Sequence, residues 1–186
     1  MLVPRSAALL AGEVLAHAAW SVAEAPEGEV LIPLGGILRE GRVELIRFVP
    51  EELSGDFIAF ARQQLADQQG KLEAWTLAYD TRVTRDEGKV DAIVFEVWGQ
   101  GMTTPTMFAQ PYQPFHSGTF RLLGEPFFLG TATSDAQSAL SETLRTFRRG
   151  VENHKQVAVL WDNWLKAGAS GDLESTRATK PWWRFW

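Results

Sequence analysis

The chain of 186 residues contains no cysteine. Disulfide bonds, thiolate metal sites and cysteine nucleophiles are therefore excluded. Their absence fits a reducing compartment, and we expect a cytoplasmic protein.

An excess of basic residues is also lacking. The chain has 18 Lys and Arg against 23 Asp and Glu, a formal net charge of −5. Proteins that bind nucleic acid generally depend on Lys and Arg to neutralise phosphates, so we do not expect a nucleic-acid partner. The same charge is unfavourable near anionic lipid, so a membrane partner is not expected either.

No apolar run is long enough to suggest a membrane span. The most apolar segment, residues 7–25, is interrupted by Glu13, His17 and Glu24. A spanning helix needs about 20 predominantly apolar residues. This segment therefore predicts a helix in a protein core.

The motifs of several enzyme classes are missing. The sequence has no GxSxG elbow, no GxxxxGK[ST] phosphate loop, no GxGxxG and no HExxH. Sequence support is thus lacking for serine-elbow acyl transfer, P-loop hydrolysis, Rossmann cofactor binding and zinc proteolysis. The sequence predicts neither a cofactor nor a metal site.

Hydrophobic periodicity predicts an α+β fold. We expect an antiparallel sheet of five or six strands, a hairpin plus a meander, with the N-terminal and middle helices packed on one face. Pro111 and Pro114 predict an extended connection that does not pair. The predicted elements are helices at 6–23 and 50–70 and strands at 29–38, 42–49, 71–85, 90–98, 103–109 and 119–129.

The C-terminal third carries apolar residues at alternating steps of four and three. This spacing is typical of a coiled-coil seam or of a long helix on a flat partner. A continuous helix over residues 134–166 would be about 50 Å long, whereas the rest of the chain forms a domain roughly 36 Å across. The helix therefore either projects to meet a second chain, forming a homo-oligomer, or breaks near Gly150. The seam consists of Leu140, Leu144, Phe147, Val151, His154, Ala158, Trp161 and Leu165.

We divide the chain into three parts. An α+β sandwich domain occupies residues 1–132, a helical segment residues 133–166, and a polar linker with an aromatic tail residues 167–186. Four of the last five residues of the tail are aromatic, namely Trp182, Trp183, Phe185 and Trp186. Such a cluster is expected to be buried against its own domain, a partner or a membrane interface.

Carboxylates on neighbouring strands are weak catalytic candidates. The candidates are Asp80, Asp91 and Glu96, together with His116 on the proline-rich connection. Paired carboxylates divide acid and base roles when their environments separate their pKa values. Asp91 and Glu96 are five residues apart, however, so in a regular strand they point to opposite faces.

The three histidines, His17, His116 and His154, lie far apart in the sequence. If the seam that contains His154 is a dimer interface, protonation near neutral pH would bring two charges together and weaken assembly.

The leading functional hypothesis is a non-catalytic, cytoplasmic interaction or regulatory module with a protein partner. The alternative is a small hydrolase or ligand-binding protein whose pocket is lined by Tyr79, Trp98, Tyr112, Asp80 and His116. In the leading hypothesis the contacts come from large apolar side chains of the C-terminal third, namely Leu144, Phe147, Trp161, Trp182, Trp183, Phe185 and Trp186.

Overall fold

A computed structural model describes residues 2–26, 31–49, 56–85, 88–114, 119–130 and 134–170 of the protein. Within these ranges the chain forms four α-helices and seven strands. In chain order they are α1 (Arg5–Glu24), β1 (Leu34–Arg39), β2 (Arg42–Arg47), α2 (Phe57–Gln68), β3 (Ala74–Arg85), β4 (Gly88–Gly99), β5 (Thr106–Gln113), β6 (Arg121–Leu122), β7 (Phe127–Phe128), α3 (Ser134–Asn153) and α4 (Val157–Ser170).

The strands form one antiparallel sheet. Their order is β2-β1-β3-β4-β5-β6, and β7 also pairs with β5. The predicted α+β class is confirmed. Where the sequence predicted one last strand, over 119–129, the structure has the two short strands β6 and β7.

The predicted β1–β2 hairpin turns at Glu40 and Gly41. Their φ angles are 50° and 70°, the left-handed pair of a type I′ turn, which suits the twist of a two-residue hairpin. The Gly41 amide donates to Glu73 Oε1 at 2.8 Å, which ties the turn to the start of β3. The hairpin places β2 beside β1, at the outer edge of the sheet.

The central strands of the sheet are covered on both faces. Small side chains of β3, such as Ala74 and Ala78, belong to the core under α1, whereas Trp75, Leu77 and Tyr79 belong to the core under α2. The sequence predicted α1 and α2 on one face, but α2 packs on the face opposite α1. The reason is that the first six residues of β3 are all buried, so both of its faces need a cover.

Two glycines bring α1 and α3 into close contact. A Cβ at Gly12 would lie 2.0 Å from the carbonyl oxygen of Phe147, and a Cβ at Gly150 would lie 2.1 Å from that of Leu9. The two helix backbones therefore touch at a point where any other residue would hold them apart. Gly150 is thus a packing residue inside α3. The sequence suggested a break near Gly150, but the helix continues through this residue to Asn153.

The C-terminal seam folds back within the chain as a helical hairpin. The break between α3 and α4 falls at residues 154–156, and Arg148 of α3 is ion-paired with Asp162 of α4. Val151 and Val157 lie in the core shared with α1 and the sheet. Of the two alternatives for residues 134–166, the broken helix is correct.

Two other predictions were wrong, namely the start of the second helix at residue 50 and the unpaired connection at Pro111. The second helix begins at Phe57, because the side chain of Asp56 caps it by accepting from the amides of Ile58 and Ala59 at 3.0 Å. Pro111 lies inside β5 opposite Ala92, and its carbonyl accepts from the Leu123 amide at 2.9 Å. Residues 50–55 lie outside the described ranges.

By length and composition, α1 is long and apolar enough to cross a membrane, contrary to the expectation from its three polar residues. In the folded chain, 56% of its most apolar 18-residue window is buried. Ten of its residues are buried, and nine of them belong to the larger core. This extent of burial is typical of a helix that packs in a protein core.

Candidate functional site

Two of the predicted catalytic carboxylates, Asp80 and Asp91, lie near each other at the edge of the larger core. Asp80 Oδ1 accepts from the Tyr112 hydroxyl at 2.8 Å, and Arg82 Nε donates to Asp91 Oδ1 at 2.9 Å. Arg82 and Asp91 are directly opposite on β3 and β4. The structure therefore groups two carboxylates, a phenol and a guanidinium on one face.

Burial sets the acid–base properties of this group. Desolvation is the main cause that raises the pKa of Asp80, with the charge of Asp91 adding to it and the Tyr112 hydrogen bond opposing it. Desolvation, followed by the charge of Asp80, raises the pKa of Tyr112. A carboxyl that holds its proton more readily than usual is suited to acid–base work if a substrate reaches it.

Glu96 lies on the opposite face, as its odd spacing from Asp91 predicted. It is 3% exposed, and its Oε1 accepts from Arg62 Nε and Nη2 at 2.8 and 2.5 Å and from the Tyr79 hydroxyl at 3.0 Å. Desolvation and then Glu96 raise the pKa of Tyr79 to about 12. Because Arg62 belongs to α2, this cluster fastens α2 to the sheet.

The residues predicted to line one pocket are divided between the two faces. Tyr79 and Trp98 belong to the core under α2, whereas Tyr112 and its partner Asp80 lie on the face of α1. His116 lies outside the described residues. The predicted pocket therefore does not form from these side chains.

Two open surface depressions occur at the end of the sheet near the β1–β2 turn. The depression of about 420 Å³ includes Arg39, Lys71 and Glu73, and the one of about 370 Å³ includes Trp98. Neither is lined by a predicted catalytic carboxylate. Among the described residues, no three or more His, Cys, Asp or Glu side chains are grouped to hold a metal ion.

The predicted contact residues of the C-terminal helix are used inside the chain. Phe147 and Trp161 are 1% and 2% exposed, and Leu144 is half-buried against the same core. The expectation that Phe147 and Trp161 contact a partner is therefore corrected, because the seam is covered by α1 and the sheet. The aromatic tail lies outside the described residues, namely Trp182, Trp183, Phe185 and Trp186.

Two of the exposed large apolar residues lie side by side on one face of β2, a strand for which the sequence predicted no function. Five of its six residues are exposed, and Val43 and Leu45 are each 41% exposed. They pair with Leu38 and Gly36 of β1, whose side of the strand faces α1. Paired residues share a face of the sheet, so Val43 and Leu45 lie on the face of α1.

The backbone of β2 is also open along its outer side. The Phe48 amide donates to Pro33 O at 3.0 Å, and hydrogen-bonded positions alternate along an antiparallel pair. The backbone groups of Arg42, Glu44 and Ile46 therefore face β1. Those of Val43 and Leu45 face outward and have no strand partner among the described residues.

The signal for this edge was present in the sequence. Two apolar residues alternate with Arg42 and Glu44, a pattern typical of a strand with one covered face. Only the order of the strands shows that α1 stops short of covering β2.

No protein-family model matches the chain, and comparisons with curated proteins and with solved structures gave no match.

Proposed function

We propose that the protein is a non-catalytic interaction module that binds an extended segment of a partner protein along the outer edge of β2. The observation that carries the proposal is that Val43 and Leu45 combine exposed apolar side chains with outward-facing backbone groups. A cytoplasmic location, expected from the lack of cysteine, is part of the same proposal.

The open backbone supplies the affinity in this mode of binding. An added strand pairs its amides and carbonyls with those of Val43 and Leu45, and the sheet continues by one strand. Proteins usually protect such edges with charges, prolines or a covering element, because an open edge invites pairing. β2 has no proline and no covering element among the described residues, and its exposed charged residues, Arg42, Glu44 and Arg47, leave Val43 and Leu45 exposed as well.

The side chains of β2 define the partner's chemistry. On the face of α1 the partner meets Val43 and Leu45, so it needs apolar residues at alternate positions. On the other face it meets Arg42 and Glu44, so an acidic and a basic residue complement them. The expected partner is therefore an extended segment that alternates apolar with charged residues.

Site-specific photo-crosslinking in cells tests this proposal. A crosslinker at Leu45 is expected to capture a defined protein, whereas a crosslinker at Val159 is not. Val159 is the matched control because it is 74% exposed but lies on α4, away from β2. Equal products from both positions would refute the proposal.

The captured protein is then tested in purified form. Leu45→Asp is expected to abolish its binding, whereas Val159→Asp is expected to leave it unchanged. Amide exchange at Val43 and Leu45 is expected to slow on binding, since both amides would join a ladder. Protection at these amides in the protein without a partner, rising with concentration, would instead identify a second copy as the occupant.

A second candidate function is acid–base hydrolysis of a small ligand, and the Asp80–Tyr112 pair favours it. Its requirement is that Asp80 exchanges a proton with a substrate. Asp80→Asn and Tyr112→Phe would each abolish such an activity, whereas Arg62→Gln on the opposite face would not. Equal effects of all three on turnover would show a loss of folding.

A further inference from the structure

The open edge of β2 invites pairing with any extended chain. Val43 and Leu45 are each 41% exposed, and their amides and carbonyls point outward from the sheet. Proteins generally cover such an edge, because an open one pairs with other chains and aggregates. An edge that is kept for a partner therefore needs a cover that the partner can displace.

The C-terminal tail has the alternation that this edge requires. In its last five residues, Arg184 lies between Trp183 and Phe185. An extended segment of this kind presents the two aromatic side chains on one face and the guanidinium on the other. The proposed partner of β2 needs the same alternation of apolar and charged residues.

Charge complementarity sets the register of the tail on β2. Glu44 is exposed and its backbone faces β1, so a residue opposite it on an added strand is at a non-hydrogen-bonded position, where side chains are closest. Arg184 at that position forms an opposite-charge pair with Glu44 across the two strands. The described strand pairs of the sheet are antiparallel, and the same direction is adopted for the tail.

The same register brings the large apolar side chains together. Trp183 lies opposite Leu45, and Phe185 lies opposite Val43, on the face of α1. These are the two positions of β2 whose backbone groups point outward, so both pairs also exchange amide–carbonyl bonds. Pro181, which has no amide to donate, falls at the start of the added strand, where a proline is tolerated.

The tail is long enough to reach β2. It follows Ser170, the last residue of α4, and Gly168 of this helix packs against the backbone of Leu122 in β6. β6 and β2 are five strand spacings apart, which is about 24 Å along the sheet. Residues 171–182 span up to about 40 Å when extended. The last five residues can therefore reach the far edge of the sheet without any change in α4.

We propose that residues 182–186 of the same chain pair with the outer edge of β2 while no partner is bound, and that the partner displaces them. The inference rests on the proposed function of β2 and adds the regulation of that site. Because the tail is attached to the domain, it competes at an effective concentration on the order of millimolar, whatever the concentration of the protein. Only a segment that binds β2 better than the tail does is then admitted.

Amide exchange of the purified full chain tests the occupancy of the edge. In the native protein we expect the amides of Val43 and Leu45 to be protected roughly 10- to 100-fold, and equally at low and high protein concentration, because the cover belongs to the same chain. Arg184→Glu is expected to lower this protection about tenfold, since it places two carboxylates opposite each other. Arg177→Glu is the matched control, because it makes the same charge change outside the paired segment, and it is expected to have no effect.

An exchange of charges between the two strands gives the most specific result. Glu44→Arg alone is expected to lower the protection of the outward-facing amides, and Glu44→Arg combined with Arg184→Glu is expected to restore it. Glu44→Arg combined with Arg177→Glu has the same net charge as this double variant, but its protection is expected to stay low. Restoration by Arg184→Glu alone of the two would thus identify the residue opposite Glu44.

The protein captured at Leu45 provides a second measurement. Arg184→Glu is expected to tighten its binding about five- to tenfold, because a larger fraction of the chains then has a free edge. Arg177→Glu is expected to leave the affinity unchanged. An affinity that Arg184→Glu does not raise would overturn the proposal.

The remaining outcomes separate this inference from the proposed function. Unprotected amides in the native protein, or protection that rises with concentration and so identifies a second copy, would overturn the tail as the occupant. Failure of the proposed function has another sign: a crosslinker at Leu45 would capture no defined protein in cells, even in the Arg184→Glu variant with its weakened cover.

Discussion

Replacing Gly150 with alanine is expected to destabilise the protein, although the same change usually stabilises a helix. In an isolated helix, alanine is favoured over glycine by about 1 kcal/mol. In this fold the new methyl group would lie 2.1 Å from the carbonyl oxygen of Leu9 and 2.9 Å from the Cα of Gly12. Both contacts are with backbone atoms of α1, which cannot move aside as a flexible side chain can.

The magnitude follows from these two opposing effects. Carbon and oxygen normally stay more than 3 Å apart, so relief of the overlap requires α1 and α3 to separate by roughly 1 Å. Overpacking of this kind costs typically about 1–3 kcal/mol and occasionally more. With a backbone clash at the upper end, the expected net loss is about 2 kcal/mol after the helix-propensity gain.

Urea unfolding followed by tryptophan fluorescence measures this loss. Gly70→Ala is the matched control, because a Cβ at Gly70 has no atom within 4 Å. It is expected to leave the free energy of unfolding unchanged or to raise it by up to about 1 kcal/mol. If Gly150→Ala behaved like Gly70→Ala, the close approach of α1 and α3 would be refuted.

Three further predictions concern the two cores. Glu96→Ala is expected to lower the free energy of unfolding by about 1–3 kcal/mol, because it leaves the Tyr79 hydroxyl and the half-exposed Arg62 without their acceptor. Tyr79→Phe removes one of these bonds and should cost about 1 kcal/mol. A loss smaller for Glu96→Ala than for Tyr79→Phe would contradict the cluster. Both tyrosines of the chain have a raised pKa, so absorbance at alkaline pH should show no phenolate step near pH 10 while the protein stays folded. The unfolded state loses these protons from about pH 10 upward, whereas folded Tyr79 keeps its proton to about pH 12. The free energy of unfolding should therefore fall between these two pH values. Ionisation of a tyrosine near pH 10 in the folded protein would refute its burial. Phe147→Ala is expected to cost about 3–5 kcal/mol without changing the oligomeric mass, and an altered mass with unchanged stability would place Phe147 at a contact between chains.

Much of the secondary structure could be predicted because its signals are local. The hairpin turn at Glu40-Gly41 and the alternation along β3 depend on residues close in sequence. The opposite orientation of Asp91 and Glu96 follows in the same way from the pleat of one strand. Pro111 was misjudged because a proline suits a strand when only its carbonyl is needed for the ladder, and the neighbouring strands decide that.

The groupings of side chains could not be predicted from local signals. Asp80 and Tyr112 are 32 residues apart, and His17 and His154 are 137 apart. Each pair meets only because strands or helices from distant parts of the chain are placed side by side. The role of Gly150 was misread for the same reason, since helix propensity describes one helix and not its neighbour.

By itself, the sequence determined the α+β class, the elements and the faces to which side chains of one strand point, because these depend on backbone geometry repeated every two or about four residues. Only the tertiary structure decided that the C-terminal seam is covered within the chain and that β2 is left at an edge. Burial is a property of the whole arrangement: an apolar side chain is hidden or exposed according to which other element reaches it.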